Sequence, residues 1–385
     1  MGHLLPQTIE RGLRDNMEKM NVSLSGHDLG EMEIAAVNRV LCSPQLSMGP
    51  FVERFETCLA AYVGCRHGIA VSSGTAGLHL AVVAAGIQEG DEIITTPFSF
   101  VSSANCILYE RGHPVFVDID PTTMNIDVEQ IEAAITPRTK AILPVHVFGL
   151  PCNMGKVMDV AHRYDLIVIE DACEAIGAEW QGRKTGTFGD CGIFAFYPNK
   201  QMTTGEGGMI VTDRDDWNDL FRSLRNQGRD NSGTWLRHVR LGYNYRLDEM
   251  SAAMGCVQIS RINELLARRE YLARIYNERL TNVPGVTTLS DIPNAIRSWF
   301  VYMIRLDPKF DRDMVMIDLE KMGIPTRPYF APIHTQPFYM EKFGYRHGDF
   351  PVTDSVSRTT LALPFHNGLS ESEIAFIVET LKRVL

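Results

Sequence analysis

Lys200 is the residue around which chemistry can be built. It lies in the segment GIFAFYPNKQMTTGEGGMIVTD, residues 192–213, where two short apolar runs of strand character, 193–197 and 209–212, flank a polar loop. That loop places three glycines within the four residues 205–208. A lysine fixed at the end of a strand and partly desolvated can have its pKa lowered enough to serve as an amine nucleophile or a proton shuttle near neutrality. The competing reading is a solvated loop lysine, the common state of this residue type.

Two further features sit upstream. The run LIVIEDACEAIGA, residues 166–178, is apolar for four residues and then ends in two carboxylates, Glu170 and Asp171. Such a run suits a strand buried on both faces of a parallel sheet, and those sheets bind ligands beyond the carboxyl ends of their strands, where Asp171 would sit. A buried carboxylate needs a cationic partner. The protonated pyridine nitrogen of pyridoxal 5′-phosphate (PLP) would supply it, with Lys200 as the cofactor's covalent anchor. The remaining need is a phosphate cradle. In VSSGTAGLHL, residues 71–80, small residues close a strand and open a helix, so that free amides and the helix dipole face an anion. Gly74 and Thr75 are the expected phosphate contacts, through their amides and the Thr hydroxyl; an ordinary Ser or Thr helix cap is the alternative.

The order SSGTAG, EDACEAIGA, FYPNKQMTTGEGGMIVTD, GYNYRLDEMSAAMG resembles the DegT/StrS-type nucleotide-sugar aminotransferases, PLP enzymes of the aspartate-aminotransferase fold (fold type I). The resemblance runs from about Leu24 to near the C-terminus. It implies that Lys200 is the Schiff-base lysine and that Asp171 keeps the pyridine nitrogen protonated. It also puts Phe100 of PFSFVSSAN on the cofactor ring and Glu174 beside the ring hydroxyl. Chemistry alone would leave Phe98 and Phe100 as core. Family members often carry a phosphate-binding serine five residues before the lysine; here that position is Ala195. The GxNxR segment of the family crosses to the other subunit, so Asn244 and Arg246 would complete the neighbour's site in a homodimer. A helix-start salt bridge is the other reading of Arg246. The implied reaction carries an amino group from L-glutamate to a nucleotide-linked keto-sugar, a 4-keto-6-deoxy hexose first and a 3-keto sugar second. Sugar dehydratases of the same fold carry histidine at the lysine position, which Lys200 argues against, and a PLP-binding regulator without transaminase activity is the second class. In TRPYFAPIHTQPFY, residues 326–339, Arg327 and His334 are candidates for the sugar-nucleotide pocket, against a proline-braced loop. His146 of PVHVFGLP is read as structural.

Composition sets limits on the partners. The chain has 385 residues, 45% hydrophobic and 22% charged, with a formal charge of -10. A large domain plus a smaller one fits that length. Net negative charge argues against nucleic acid, whose phosphates are met by clustered Lys and Arg. No apolar run approaches the roughly eighteen residues of a membrane span, and no signal peptide opens the chain, so the cytoplasm is expected. The eight cysteines show no C-x-x-C pair, there is no H-E-x-x-H, and neither a metal nor a disulfide framework is expected; most cysteines should be small core residues.

The elements that must position these residues follow from apolar spacing. Seven strands are predicted near residues 69–71, 92–95, 114–117, 141–145, 166–169, 193–196 and 209–212, alternating with helices. This is the α/β pattern of a mostly parallel sheet flanked by helices. Helices are predicted at 30–41, 50–62, 216–224 and, as one long run, 248–281. A strand at 298–306 and helices near 312–322 and 370–384 suggest a smaller C-terminal α+β domain. The expected division is an extension at 1–22, a PLP-binding domain at 23–255 and a small domain at 256–385. The polar stretch 226–234 is expected to be a mobile loop.

Overall fold

All seven predicted strands form, each within three residues of its expected limits, and they share one sheet. In the computed structural model, which describes residues 22–230 and 236–385, they are β1 (His67–Val71), β2 (Glu92–Thr95), β3 (His113–Phe116), β4 (Thr139–Ile142), β5 (Ile167–Asp171), β6 (Cys191–Ala195) and β7 (Gly208–Thr212). The spatial order is β1-β7-β6-β5-β4-β2-β3, with β7 antiparallel to both neighbours and every other pairing parallel. Chain length explains that exception. Only the residues 196–207 separate β6 from β7, and they form no helix that could serve as a parallel crossover, so the chain must return antiparallel.

Register then gathers the chemistry at one edge. Val71 and Ala195 both pair with Gly208, and Asp171 pairs with Ile193. The loops that leave β1, β5 and β6 therefore emerge side by side. Helix Gly74–Ala84 lies buried against this sheet. Its glycines set how closely it approaches: a Cβ on Gly77 would meet Ile193 Cγ2 at 2.9 Å, and one on Gly74 would meet Ala195 Cβ at 2.7 Å.

The C-terminal part packs a three-stranded antiparallel sheet (Val286–Thr288, Tyr302–Leu306, Thr360–Leu363) against helices Ile262–Leu280, Arg312–Lys321 and Glu371–Val384. One apolar cluster runs continuously from Val71 and Ile193 to Leu361 and Ile377, so the core does not stop at residue 255. Two elements differ from expectation. The long helical run divides at Arg261 into Glu249–Ser260 and Ile262–Leu280, where the Arg261 guanidinium is held by Asp28 and Glu33, each at 3.1 Å. The expected strand at 298–306 begins only at Tyr302, because residues 298–300 are drawn across the mouth of β5 and β6 by bonds to Ile176, Gln201 and Arg269. The arm at 1–21 and residues 231–235 of the polar loop lie outside the described residues. Of the cysteines, three are buried, four half-buried and Cys42 exposed, so fewer belong to the core than expected; all eight are free thiols.

Candidate active site

A cavity of about 540 Å³ opens at the strand ends, and Lys200, Asp171, Glu174, Gly74, Thr75 and Phe100 all line it. Lys200 follows β6 in a tight turn, its amide donating to the Tyr197 carbonyl at 2.9 Å. Its carbonyl accepts from Arg269 Nη2 at 3.1 Å, and the same buried guanidinium also binds the carbonyls of Trp299 and Phe300. The side chain is 14% exposed, and its amine lies 3.6 Å from Glu174 Oε1 and 3.9 Å from the centre of the Phe300 ring. An ammonium over a ring face in a largely dry site is held by the ring's charge distribution as well as by the carboxylate.

Asp171 closes β5 and is buried. Its Oδ2 accepts from Ser103 Oγ at 2.7 Å, Ser103 Oγ in turn pairs with Ser99 Oγ at 2.8 Å, and Oδ1 accepts from the Cys173 amide at 3.1 Å. Glu174 sits one turn further on. Its Oε2 accepts from the Phe148 amide at 3.0 Å, and burial pushes its carboxyl above the usual carboxylate range, opposed in part by the nearby Lys200 charge.

The far end of the cavity is the start of helix Gly74–Ala84. Ser73 caps it, accepting from the Ala76 amide, while the amides of Gly74 and Thr75 have no acceptor among the described residues. A Cβ on Gly74 would also press on Cys173 Sγ at 2.9 Å, so glycine is required for the helix start to sit this close. Phe98 is fully buried, whereas Phe100 is 62% exposed on the cavity wall. A carboxylate beside a buried wall, an amine across the same hollow and a ring of donors for an anion are the three contacts that PLP presents, and the residues fit it.

Arg327 lines an outer recess of about 310 Å³ that shares Phe100, Asn199, Phe300, Tyr329 and Phe330 with the cavity. His334 falls elsewhere and corrects the expected sugar contact. It is fully buried, 3.2 Å from Asp354 Oδ1 but off the line of a hydrogen bond, packed on Phe350 and absent from either wall. Asn244 is exposed and Arg246 Nη1 donates to Asn226 Oδ1 at 2.9 Å; neither lines this cavity. His146 is buried with both ring nitrogens bonded, to Glu170 and to the Cys152 amide. Four contributors escaped the sequence: Ser103, Gln201, Arg269 and Phe300. Gln201, next to Lys200, binds Glu174 O at 2.6 Å and Ser298, and its place in the motif was the available signal. Arg269 and Phe300 had none.

Comparison with known proteins places these features in a group. A model of the DegT/DnrJ/EryC1/StrS aminotransferase family matches residues 27–382. The GDP-perosamine synthase of Caulobacter vibrioides is 42% identical over 343 residues, covering 88% of this chain and 91% of that protein. A pleiotropic regulatory protein of Geobacillus stearothermophilus is 36% identical over 368 residues, covering 94% and 97%. Among solved structures, a putative sugar aminotransferase of Streptococcus pneumoniae in its PLP form superposes with a TM-score of 0.90 at 26% identity, over 95% of this chain and 98% of that one.

Proposed function

The chain belongs to the DegT/DnrJ/EryC1/StrS aminotransferase family, and from that premise we propose that it transfers the amino group of L-glutamate to a nucleotide-linked keto-sugar. It is a PLP-dependent sugar aminotransferase. The observation that carries the proposal is that Lys200 and Asp171 line one hollow whose other end is a helix start with free amides. A guanosine diphosphate-linked sugar is the first to test, since one relative is named GDP-perosamine synthase. A 4-keto-6-deoxy hexose is preferred to a 3-keto sugar.

PLP, when bound, supplies the aldehyde that takes up the amino group and the ring that accepts the electrons released as the substrate carbon loses its proton. The remaining work falls to the chain. Lys200 Nζ anchors the cofactor and, once displaced by the amino donor, moves the proton to and from the carbon that bears the nitrogen. Asp171, held by Ser103 and Cys173, would meet the ring nitrogen of the bound cofactor and keep a proton there. Glu174 stands beside Lys200 to hold its charge between steps. Phe300 and Phe100 exclude water from the reacting carbon. Arg327 would meet an anionic group of the incoming nucleotide-sugar in the outer recess. Asn244 and Arg246, turned away from their own cavity, would reach the cofactor phosphate of a second copy. The large and small domains would divide near residue 255, and the cytoplasm is the proposed location; among the described residues no helix is long and apolar enough to cross a membrane.

The relative named a regulatory protein keeps a second reading in view, a PLP-binding sensor. Mixing the protein with PLP and L-glutamate separates the two. A transaminase releases 2-oxoglutarate and loses the visible absorbance of lysine-bound cofactor, and Lys200→Ala abolishes both. Full turnover by Lys200→Ala, or no 2-oxoglutarate from the wild type, would end the proposal.

A further inference from the structure

The phosphate end of the cavity is short of positive charge. Among the described residues that line the cavity, Lys200 is the only cation, and it is engaged by Glu174 and Phe300. A phosphate dianion must therefore be gripped by N–H and O–H donors. One wall offers none: Ala195 turns a methyl toward Gly74, within 2.7 Å of where a Cβ there would lie.

A second helix start makes up the difference. Helix Ser102–Tyr109 begins on the same cavity wall, and Ser102 Oγ lies 2.8 Å from Thr75 Oγ1. In such a pair one hydroxyl donates to the other, so the second keeps a proton free to point at an anion. The Ser102 amide, like those of Gly74 and Thr75, has no acceptor among the described residues. Two helix starts thus bring three amides, a paired hydroxyl couple and two dipoles to one place.

We infer that Ser102 is a ligand of the cofactor phosphate, its hydroxyl and amide acting together with Thr75. The next residue, Ser103, donates to Asp171 at the ring-nitrogen end. One helix turn then sets the cofactor at both ends, fixing its distance from Lys200. The inference rests on PLP occupying this cavity.

Pyridoxal, which lacks the phosphate, isolates the contact. The cofactor-free, full-length protein is titrated with PLP and with pyridoxal while the absorbance of the lysine-bound form is followed, and the ratio of the two affinities is the readout. Ser102→Ala is expected to weaken PLP about tenfold, the loss of one charge-assisted hydrogen bond, and to leave pyridoxal unchanged. Ser102→Thr keeps the hydroxyl and is expected to keep the ratio. Ser102→Cys, close in size but a weak donor, repeats the comparison if the alanine variant does not fold. A ratio that stays at the wild-type value in the alanine or cysteine variant, or equal losses for both compounds, overturns the assignment of Ser102 alone. A wild type that takes up neither compound overturns the cofactor reading and this assignment with it.

Discussion

Glu174 is a cavity carboxyl whose environment moves it away from the ordinary behaviour of its residue type. A carboxyl group with an ordinary value of 4.5 is pushed upward here, first by burial, with the Lys200 charge opposing. The folded protein then holds a proton that the unfolded chain has released. Its contribution to stability is therefore present below about 4.5 and is lost as pH rises toward the raised folded value. An amide at this place does not titrate. The wild type should thus be most stable relative to Glu174→Gln near pH 4.5 and lose that advantage toward neutrality, read as the difference in Tm of the two cofactor-free proteins between about pH 4.5 and pH 7. A difference that is flat or grows with pH would remove the argument. Asp171 accepts the Ser103 hydroxyl on one oxygen and the Cys173 amide on the other.

Between elements, Glu56 is the pin that aligns the first strand with its helices. From helix Pro50–Val63 its Oε1 accepts from the Ala70 amide at 2.9 Å and from Arg225, and its Oε2 accepts from Arg222 at 2.8 Å. Arg225 is 3% exposed and also donates to the Ala70 carbonyl at 2.7 Å. Replacing the carboxylate by an amide leaves that guanidinium buried without its counter-charge, which costs about 3–5 kcal/mol. Glu56→Gln should lower the unfolding free energy by that order in urea titration; a loss under about 1 kcal/mol would mean that Arg225 finds another partner or water. The consequence reaches the site, because β1 ends at the phosphate cradle. Glu170 does similar work on β5, its Oε1 and Oε2 accepting from the amides of Gly186, Phe188 and Gly189 as well as pairing with His146. The two adjacent carboxylates of the EDAC motif thus divide their tasks: Glu170 braces a loop and Asp171 faces the cavity.

For the assembled protein, the decisive segment is GYNYR. Tyr243 and Tyr245 stack on each other and pack edge-on against His79 of the cradle helix, while Asn244 between them is exposed. A strand-like alternation that spends two tyrosines on anchorage and leaves the asparagine outward suits a residue meant for another copy. Complementation tests this. Lys200→Ala and Asn244→Asp, the latter placing a carboxylate against the phosphate, should each be inactive alone. Mixed and allowed to exchange, half the chains form heterodimers with one intact site in two, so about a quarter of wild-type activity should return. Absence of any recovery would mean that each chain completes its own site.

The alternation of apolar runs with helices was legible along the chain because strands buried on both faces must be continuously apolar, and all seven were found at their places. So were the lysine, the carboxylate and the glycine-opened helix, since each motif is local: a few residues whose backbone the neighbours in sequence constrain. What the chain order did not disclose are contacts made across long separations. Arg269 reaches the Lys200 carbonyl from a helix 69 residues away, Ser103 reaches Asp171 from 68, and Phe300 arrives over the amine because residues 298–300 leave their expected strand. His334 went the other way, into the core, because the hydrophobic ring around Phe350 encloses it and no sequence period records which side of a loop is covered. Motifs declare which chemistry is available; packing decides which side chains stand close enough to take part in it.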